Sequence, residues 1–413
     1  MKTHLQVNAE RLQRRLADMA KIGATPKGGV CRVALTDEDK VGRDLFVEWC
    51  REANCRIEID QIGNIFARRD GQENNLPVVL AGSHLDSQPT GGKYDGVYGV
   101  LAALEVIETL NDAHLSTIHP VEIVSWTNEE GARFAPGLSG SGVFTGAFDL
   151  EFALTRTDKE GLTLGEELQR IGYAGHSPSH QKSIKAALEI HIEQGPILEE
   201  QGVTIGIVTG IQGMRWYDLI FKGQEAHAGT TPMENRHDPV LAAVSAIQRI
   251  YQLNRAYAPF GRATFGDFRV NPGARNTVPG MLMVTLDYRH PDAAVLDLVD
   301  REIRTIIAEE CQLAGVSGDL EEIWQMPPII FSPECIAAVR EAAVIFGYRT
   351  LEMTSGAGHD SMYLAQITPT GMIFVPCEGG LSHNELENVK PGDLVAGANV
   401  LLHAVLALAN PSQ

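Results

Sequence analysis

From about residue 57 the chain alternates short apolar runs with longer segments of helical period. RIEID, NIFARR and PVVLAGS read as strands, GVYGVLAALEVIETL as a helix, and VEIVSWT and KAALEIHI as further strands. Strand-like runs spaced by helices are the signature of an α/β layer around a largely buried sheet. The first twenty residues, MKTHLQVNAERLQRRLADMA, predict an amphipathic helix and lack the apolar core of a signal peptide. No uninterrupted apolar stretch is expected to reach membrane-spanning length.

The texture changes between about 203 and 325. IGIVTGI, RWYDLIFKG, ATFGDFRV and GMLMVTLDYRH read as strands, DPVLAAVSAIQRIYQLN and DAAVLDLVDREIRTIIAEECQLAG as helices. Two helices over an antiparallel sheet make a self-contained α+β unit of ferredoxin-like type. After residue 330 the chain resumes helix, strand and helix, ending in DLVAGANVLLHAVLALA. The expected fold is therefore α/β: a discontinuous catalytic domain, 1–211 and 330–413, with a mixed sheet flanked by helices, and an inserted lid or dimerisation domain, 212–329.

A length of 413 residues suits two domains, and 44% apolar with 21% charged residues is the balance of a soluble globular protein. The net charge of −19 repels nucleic acid and anionic membranes, so neither is expected as a partner. Six scattered cysteines, with no CxxC pair, point to a reducing, cytoplasmic setting rather than a disulfide framework or a thiolate metal site.

The polar residues that end the apolar runs carry the chemistry. His84 and Asp86 follow PVVLAG, two apart, so an extended backbone puts them on one face. Asp95, in GGKYDG, precedes a helix and by position alone reads equally as an N-cap. Glu129 and Glu130 stand side by side after VEIVSWT, where like charges repel unless they are solvated or a cation is near. His191 alternates with apolar residues in LEIHIEQG, as a hydrogen-bonded core histidine also would, and His383 lies in the polar loop LSHNE. Each is weak alone. Together, several strand ends supply three imidazoles and carboxylates, an N/O ligand set suited to Zn²⁺, Mn²⁺, Co²⁺ or Ni²⁺ at the edge where open α/β sheets gather their sites. Two ions ~3.5–4 Å apart need one bridging carboxylate, and a spare glutamate has the task of moving the proton of water.

HLD, GGKYDG, TNEEGARF, HIEQG, EAHAGTTPM, RNTVPG, DYRH, SGAGHD and SHNE, in this order over roughly residues 80 to 390, resemble the amidase/hydantoinase–carbamoylase branch of the M20 metallopeptidases. The resemblance implies a dinuclear hydrolase with two divalent ions per subunit. His84, Asp95, Glu130, His191 and His383 resemble its ligands, Asp95 bridging. Glu129 resembles the general base and Asp86 the residue that orients His84. A histidine at 191, where many peptidase members have a carboxylate, resembles the branch that cleaves ureido groups.

By the same resemblance His227 and Asn276 are expected to stabilise an oxyanion, and Arg289 to clamp a substrate carboxylate. Gln194 and Arg215 resemble further substrate contacts. Gly358, with Gly356, lets backbone amides approach a ligand where a helix starts. The family's inserted domain also dimerises, its histidine serving the other subunit's site. The implied reaction is cleavage of N-carbamoyl amino acids to the amino acid, carbon dioxide and ammonia. Allantoate hydrolysis uses the same machinery on a substrate with a second ureido group. A dipeptidase or aminoacylase is disfavoured by His191, and a non-catalytic binding protein by the intact ligand set with a base beside it.

Overall fold

The computed structural model describes residues 5–179 and 182–410. Residues 1–4 of the expected N-terminal helix lie outside them. The helix itself is Ala9–Met19, capped by the Asn8 side chain and burying Leu12, Leu16 and Met19 on one stripe.

Strands β1 (Arg56–Ile59), β2 (Ile65–Arg69), β3 (Val78–His84), β4 (Val121–Trp126), β5 (Ile184–Ile192) and β6 (Ile205–Ile211) come first. Then follow β7 (Gly213–Lys222), β8 (Ala226–His227), β9 (Arg262–Asn271), β10 (Thr277–Val278), β11 (Met281–His290) and β12 (Ser317–Met326). Last among the described residues are β13 (Ile329–Ile330), β14 (Thr350–Ser355) and β15 (Thr370–Val375). The chain divides into two compact units, Met1–Thr209 with Ile330–Gln413, and Gly210–Ile329.

The large sheet is mixed, in the order β1-β2-β4-β3-β5-β15-β6-β13, with β14 paired to β6. Its centre, β4-β3-β5-β15, is parallel. β3, β4 and β15 are buried at every position, which is why they read as continuous apolar runs. The helix Val97–Asp112 is buried almost all round because it packs on β3 and β5 on one side and on Pro391–Ala409 on the other. Each fully buried leucine or isoleucine there contributes about 1.5–3 kcal/mol. The helix Pro391–Ala409 corrects one expectation: it is long and apolar enough to cross a bilayer by length and composition. Its hydropathy serves the core instead, since 67% of that window is buried.

In the smaller unit the sheet order is β12-β7-β11-β9, antiparallel throughout. Every second residue of β11, including Leu282, Val284, Leu286 and Tyr288, is buried, and these join one apolar cluster with the helices Pro239–Arg255 and Ala293–Ala314. Asp238 and Asp292 cap those helices by accepting from the amides of Val240 and Ala294. Two strand readings need correction. IGIVTGI is β6 and pairs with β15 in the large sheet. β12 is a strand that the sequence pattern hides, because this edge strand is exposed at eight of its ten positions and so needs no apolar alternation.

Candidate active site

Parallel strands carry their side chains to one carboxyl-terminal edge, and four of them deliver the candidate ligands. His84 is the last residue of β3, Glu129 and Glu130 follow β4, His191 is next to last in β5, and His383 lies in the loop after β15. Asp95 ends the loop between β3 and the helix Val97–Asp112. It does not cap that helix: Gly96 is the N-cap, with φ +66°, and no side chain caps it. A Cβ on Gly96 would lie 2.3 Å from the His84 ring, so glycine is what lets the imidazole pack against the helix start.

Hydrogen bonds fix both buried rings. Nδ1 of His84 is 2.9 Å from the backbone oxygen of Asp86, and Nδ1 of His191 is 2.9 Å from that of Ile192. A carbonyl only accepts, so each Nδ1 carries hydrogen and each Nε2 turns inward. Nε2 of His84 faces Asp95 Oδ1 at 3.7 Å and Glu129 Oε2 at 3.4 Å, and Nε2 of His191 faces Asp95 Oδ1 at 3.1 Å. Nε2 of His383 lies 3.5 Å from Asp95 Oδ2 and 3.3 Å from Glu130 Oε2. The two oxygens of Asp95 are thus offered to two different groups, His84 with His191 and Glu130 with His383, and each group is compact enough to hold an ion.

The electrostatics call for a cation. Burial, with Asp360, Glu130 and Asp86 near, pushes Glu129 well above the usual carboxylate range. Burial beside Asp95 and Asp86 does the same to Glu130. Burial lowers His84 to about 4. For Asp95 and His191 burial opposes the net shift: their mutual hydrogen bond lifts His191 to about 9 and holds Asp95 below the usual range. Converging acceptor atoms of this N/O type, with like-charged carboxylates buried beside them, fit divalent metal.

Asp86 meets the His84 ring through its backbone. Its backbone oxygen, not its carboxylate, holds the His84 ring, and Oδ1 stands 3.8 Å from Nδ1. The carboxylate instead accepts from the amides of Glu129, at 3.3 Å, and Glu130, at 3.2 Å, and so fixes the turn that presents both glutamates. That turn also needs Asn128 at φ +54°, its side chain donating to Phe134 O and Ser139 Oγ. Gln194, likewise left-handed at φ +57°, donates to Asp95 Oδ2 at 2.9 Å, leaving its buried Oε1 without a partner.

Three further candidate residues have surroundings of their own. The helix after Gly358, Ser361–Leu364, has four residues, and the amide of Ser361 donates to Glu189 Oε2 at 3.2 Å. A Cβ on Gly358 would meet only Leu138 Cδ1, at 3.9 Å, so the protein's own packing does not demand glycine there. Arg215 pairs with Asp297, and Arg289 donates through Nε and Nη2 to Asp287. Both arginines, with His227 and Asn276, belong to the smaller unit. There β8 and β10 place His227 beside Thr277, and the amide of Ala228 donates to Asn276 O at 3.0 Å. His227 Nδ1 accepts from the amides of Gly229 and Thr230, which leaves hydrogen on Nε2.

Several residues escaped the sequence reading. Glu189, two before His191 in β5, accepts from Ser83 Oγ and Ser361 Oγ, both at 2.7 Å, and the His359 ring stands edge-on to His191 at 4.6 Å between centroids. A glutamate among apolar strand residues was the available signal for the first. Gln88 holds Glu130 Oε2 at 2.8 Å, and Glu387 holds the Asp95 loop.

The profile of peptidase family M20/M25/M40 matches residues 80–407, and the chain belongs to that family. An N-carbamoyl-L-amino-acid amidohydrolase of Rhizobium meliloti is 44% identical over 98% of this chain and 97% of its own length. An allantoate amidohydrolase of Bacillus subtilis is 33% identical over 95% of each chain. The crystal structure of an amidase of the hydantoinase/carbamoylase family from Burkholderia multivorans superposes with a TM-score of 0.94, at 54% identity and 98% coverage of both chains.

Proposed function

We propose that the protein is a metal-dependent hydrolase of linear C–N amide bonds that removes the carbamoyl group of N-carbamoyl-L-amino acids, releasing the amino acid, carbon dioxide and ammonia. The observation that carries this reading is the division of the Asp95 oxygens between two ligand groups, with Glu129 adjoining His84. The Rhizobium and Burkholderia relatives support the substrate class.

His84 and His191 would hold one divalent ion, Glu130 and His383 a second, with Asp95 shared; Zn²⁺, Mn²⁺, Co²⁺ and Ni²⁺ all suit these donors. Such ions, when bound, polarise the scissile carbonyl and lower the pKa of water. Glu129 takes the proton of the attacking water and returns it to the leaving nitrogen, a role its desolvated carboxyl suits. Gln194 Oε1 accepts from a ureido N–H, which gives that buried oxygen its partner. His227 Nε2–H and the Asn276 amide stabilise the tetrahedral oxyanion. Arg289 binds the substrate carboxylate once Asp287 shares it, and Arg215 and Gly358 are further contacts.

An ammonia-release assay across carbamoyl-α-amino acids, carbamoyl-β-alanine, allantoate and dipeptides tests the assignment. Hydrolysis is expected for carbamoyl-L-α-amino acids above all others; turnover confined to dipeptides would overturn it. Preference for allantoate would select the reading that the Bacillus relative offers.

The surface of the smaller unit supports a dimer. Leu241, Val244 and Tyr251 line the helix Pro239–Arg255 at helical spacing and are half exposed, and Phe268 and Val270 stand out from the terminal strand β9. An apolar stripe beside a sheet edge suits a second copy of the chain. Sedimentation equilibrium is expected to give a dimer for the native protein and a monomer for Val244→Glu; a native monomer at micromolar concentration removes this part of the reading. The free cysteines fit a cytoplasmic enzyme.

A further inference from the structure

His383 is the ligand least held by the core. Its side chain is 50% exposed, against 4% for Asp95 and 5% for Glu130, and its backbone is left-handed at φ +51°. Something must keep its loop against the rest of the centre. Four residues on, Glu387 is almost wholly buried. Its Oε1 accepts from the backbone amides of Tyr94, at 2.9 Å, and Asp95, at 3.1 Å. Its Oε2 lies 3.2 Å from Ser382 Oγ, which is also 2.9 Å from Asp95 Oδ2. One carboxylate therefore clamps the backbone that carries the shared ligand and the residue before the exposed one. Glycine makes the seat: a Cβ on Gly92 would lie 1.9 Å from Glu387 Cδ, and one on Gly29 would lie 2.5 Å from Glu385 Cα.

We propose that Glu387 is a positioning residue that locks the His383 loop to the Asp95 loop, so that the Glu130–His383 side of the centre retains its ion. The clamp works through reach and hydrogen-bond acceptance, not through contact with metal or substrate. Its effect is therefore unequal. His84 and His191 are buried and fixed by their own carbonyl partners, so the ion they hold would feel Glu387 only through Asp95, whereas the other would lose the placing of Asp95 and of His383 together.

The inference rests on the two-ion centre proposed above, and calorimetric binding isotherms of Mn²⁺ and Zn²⁺ to metal-free full-length protein separate the two. Native protein is expected to bind two ions per chain. Glu387→Ala should weaken the second ion ~10–100-fold, the usual consequence of losing a residue that orients a ligand, and leave the first within ~3-fold. Glu387→Gln keeps an acceptor for both amides and should stay near native. Glu387→Asp keeps the charge, loses the reach, and should resemble alanine. Gly92→Ala, which bears no ligand, should reproduce the same pattern by pushing the clamp out of its seat. Equal weakening of both ions, or a glutamine variant as poor as alanine, would overturn the positioning role while leaving the centre intact. Native protein binding no pair of ions would sink the centre and the clamp together. If the alanine variant does not fold, the glutamine–aspartate contrast still decides.

Discussion

Glu129→Gln is expected to slow hydrolysis by at least ~10²–10⁴-fold while both ions stay bound, the usual contribution of a general acid–base group. Glutamine keeps the size of the side chain and its place beside His84 but cannot carry the proton. Glu130→Gln should behave differently. Glu130 stands 3.3 Å from His383 Nε2 and is held by Gln88, so losing its charge removes an anionic ligand and metal content should drop. Excess metal should then restore Glu130→Gln in part and leave Glu129→Gln unchanged. Metal analysis and turnover across a metal series read both variants. A Glu129→Gln protein that loses its ions, with Glu130→Gln keeping them, reverses the assignment of the pair.

Removing the metal should have a larger effect still. Without a cation, burial among like charges pushes Glu129 and Glu130 well above the usual carboxylate range, a cost that bound metal relieves. Chelated protein loses the Lewis acid that polarises the carbonyl and activates water. Activity should fall to background after chelation and dialysis, and return on adding Mn²⁺, Co²⁺, Ni²⁺ or Zn²⁺. Ligand binding to the native state also adds RT ln(1 + [L]/Kd), so the melting temperature should rise with metal concentration. Full turnover by protein shown free of metal would remove the dinuclear reading altogether.

Legibility in the sequence followed how strongly each role constrains its neighbourhood. His84, the glutamate pair and His191 stood out because a polar residue ending a fully buried strand is conspicuous. For Asp86, spacing tells which face the residue shares with His84, not that its backbone oxygen rather than its carboxylate meets the ring. β12 was invisible for the opposite reason: an exposed edge strand has no buried face to write a pattern. Glu387 looks like any loop glutamate until Gly92, almost 300 residues earlier, is seen to vacate its seat. Arg215 and Arg289 carry the right chemistry for a carboxylate, but partners such as Asp297 and Asp287 are settled by packing rather than by motif.

The position of β15 in the sheet bears on how the chain comes to be made. It lies between β5 and β6, pairing parallel with one and antiparallel with the other, yet it is the last strand in sequence. A nascent chain that has already emitted the whole of Gly210–Ile329 still has a slot in the middle of its main sheet. Neither the loop that carries His383 nor the clamp at Glu387 exists until that slot is filled. Pairings this distant in sequence form slowly and leave strand edges open in the meantime. During synthesis the smaller unit, compact in itself, can fold first, while the hydrolytic centre is assembled only after β15 and the loop that follows it have emerged.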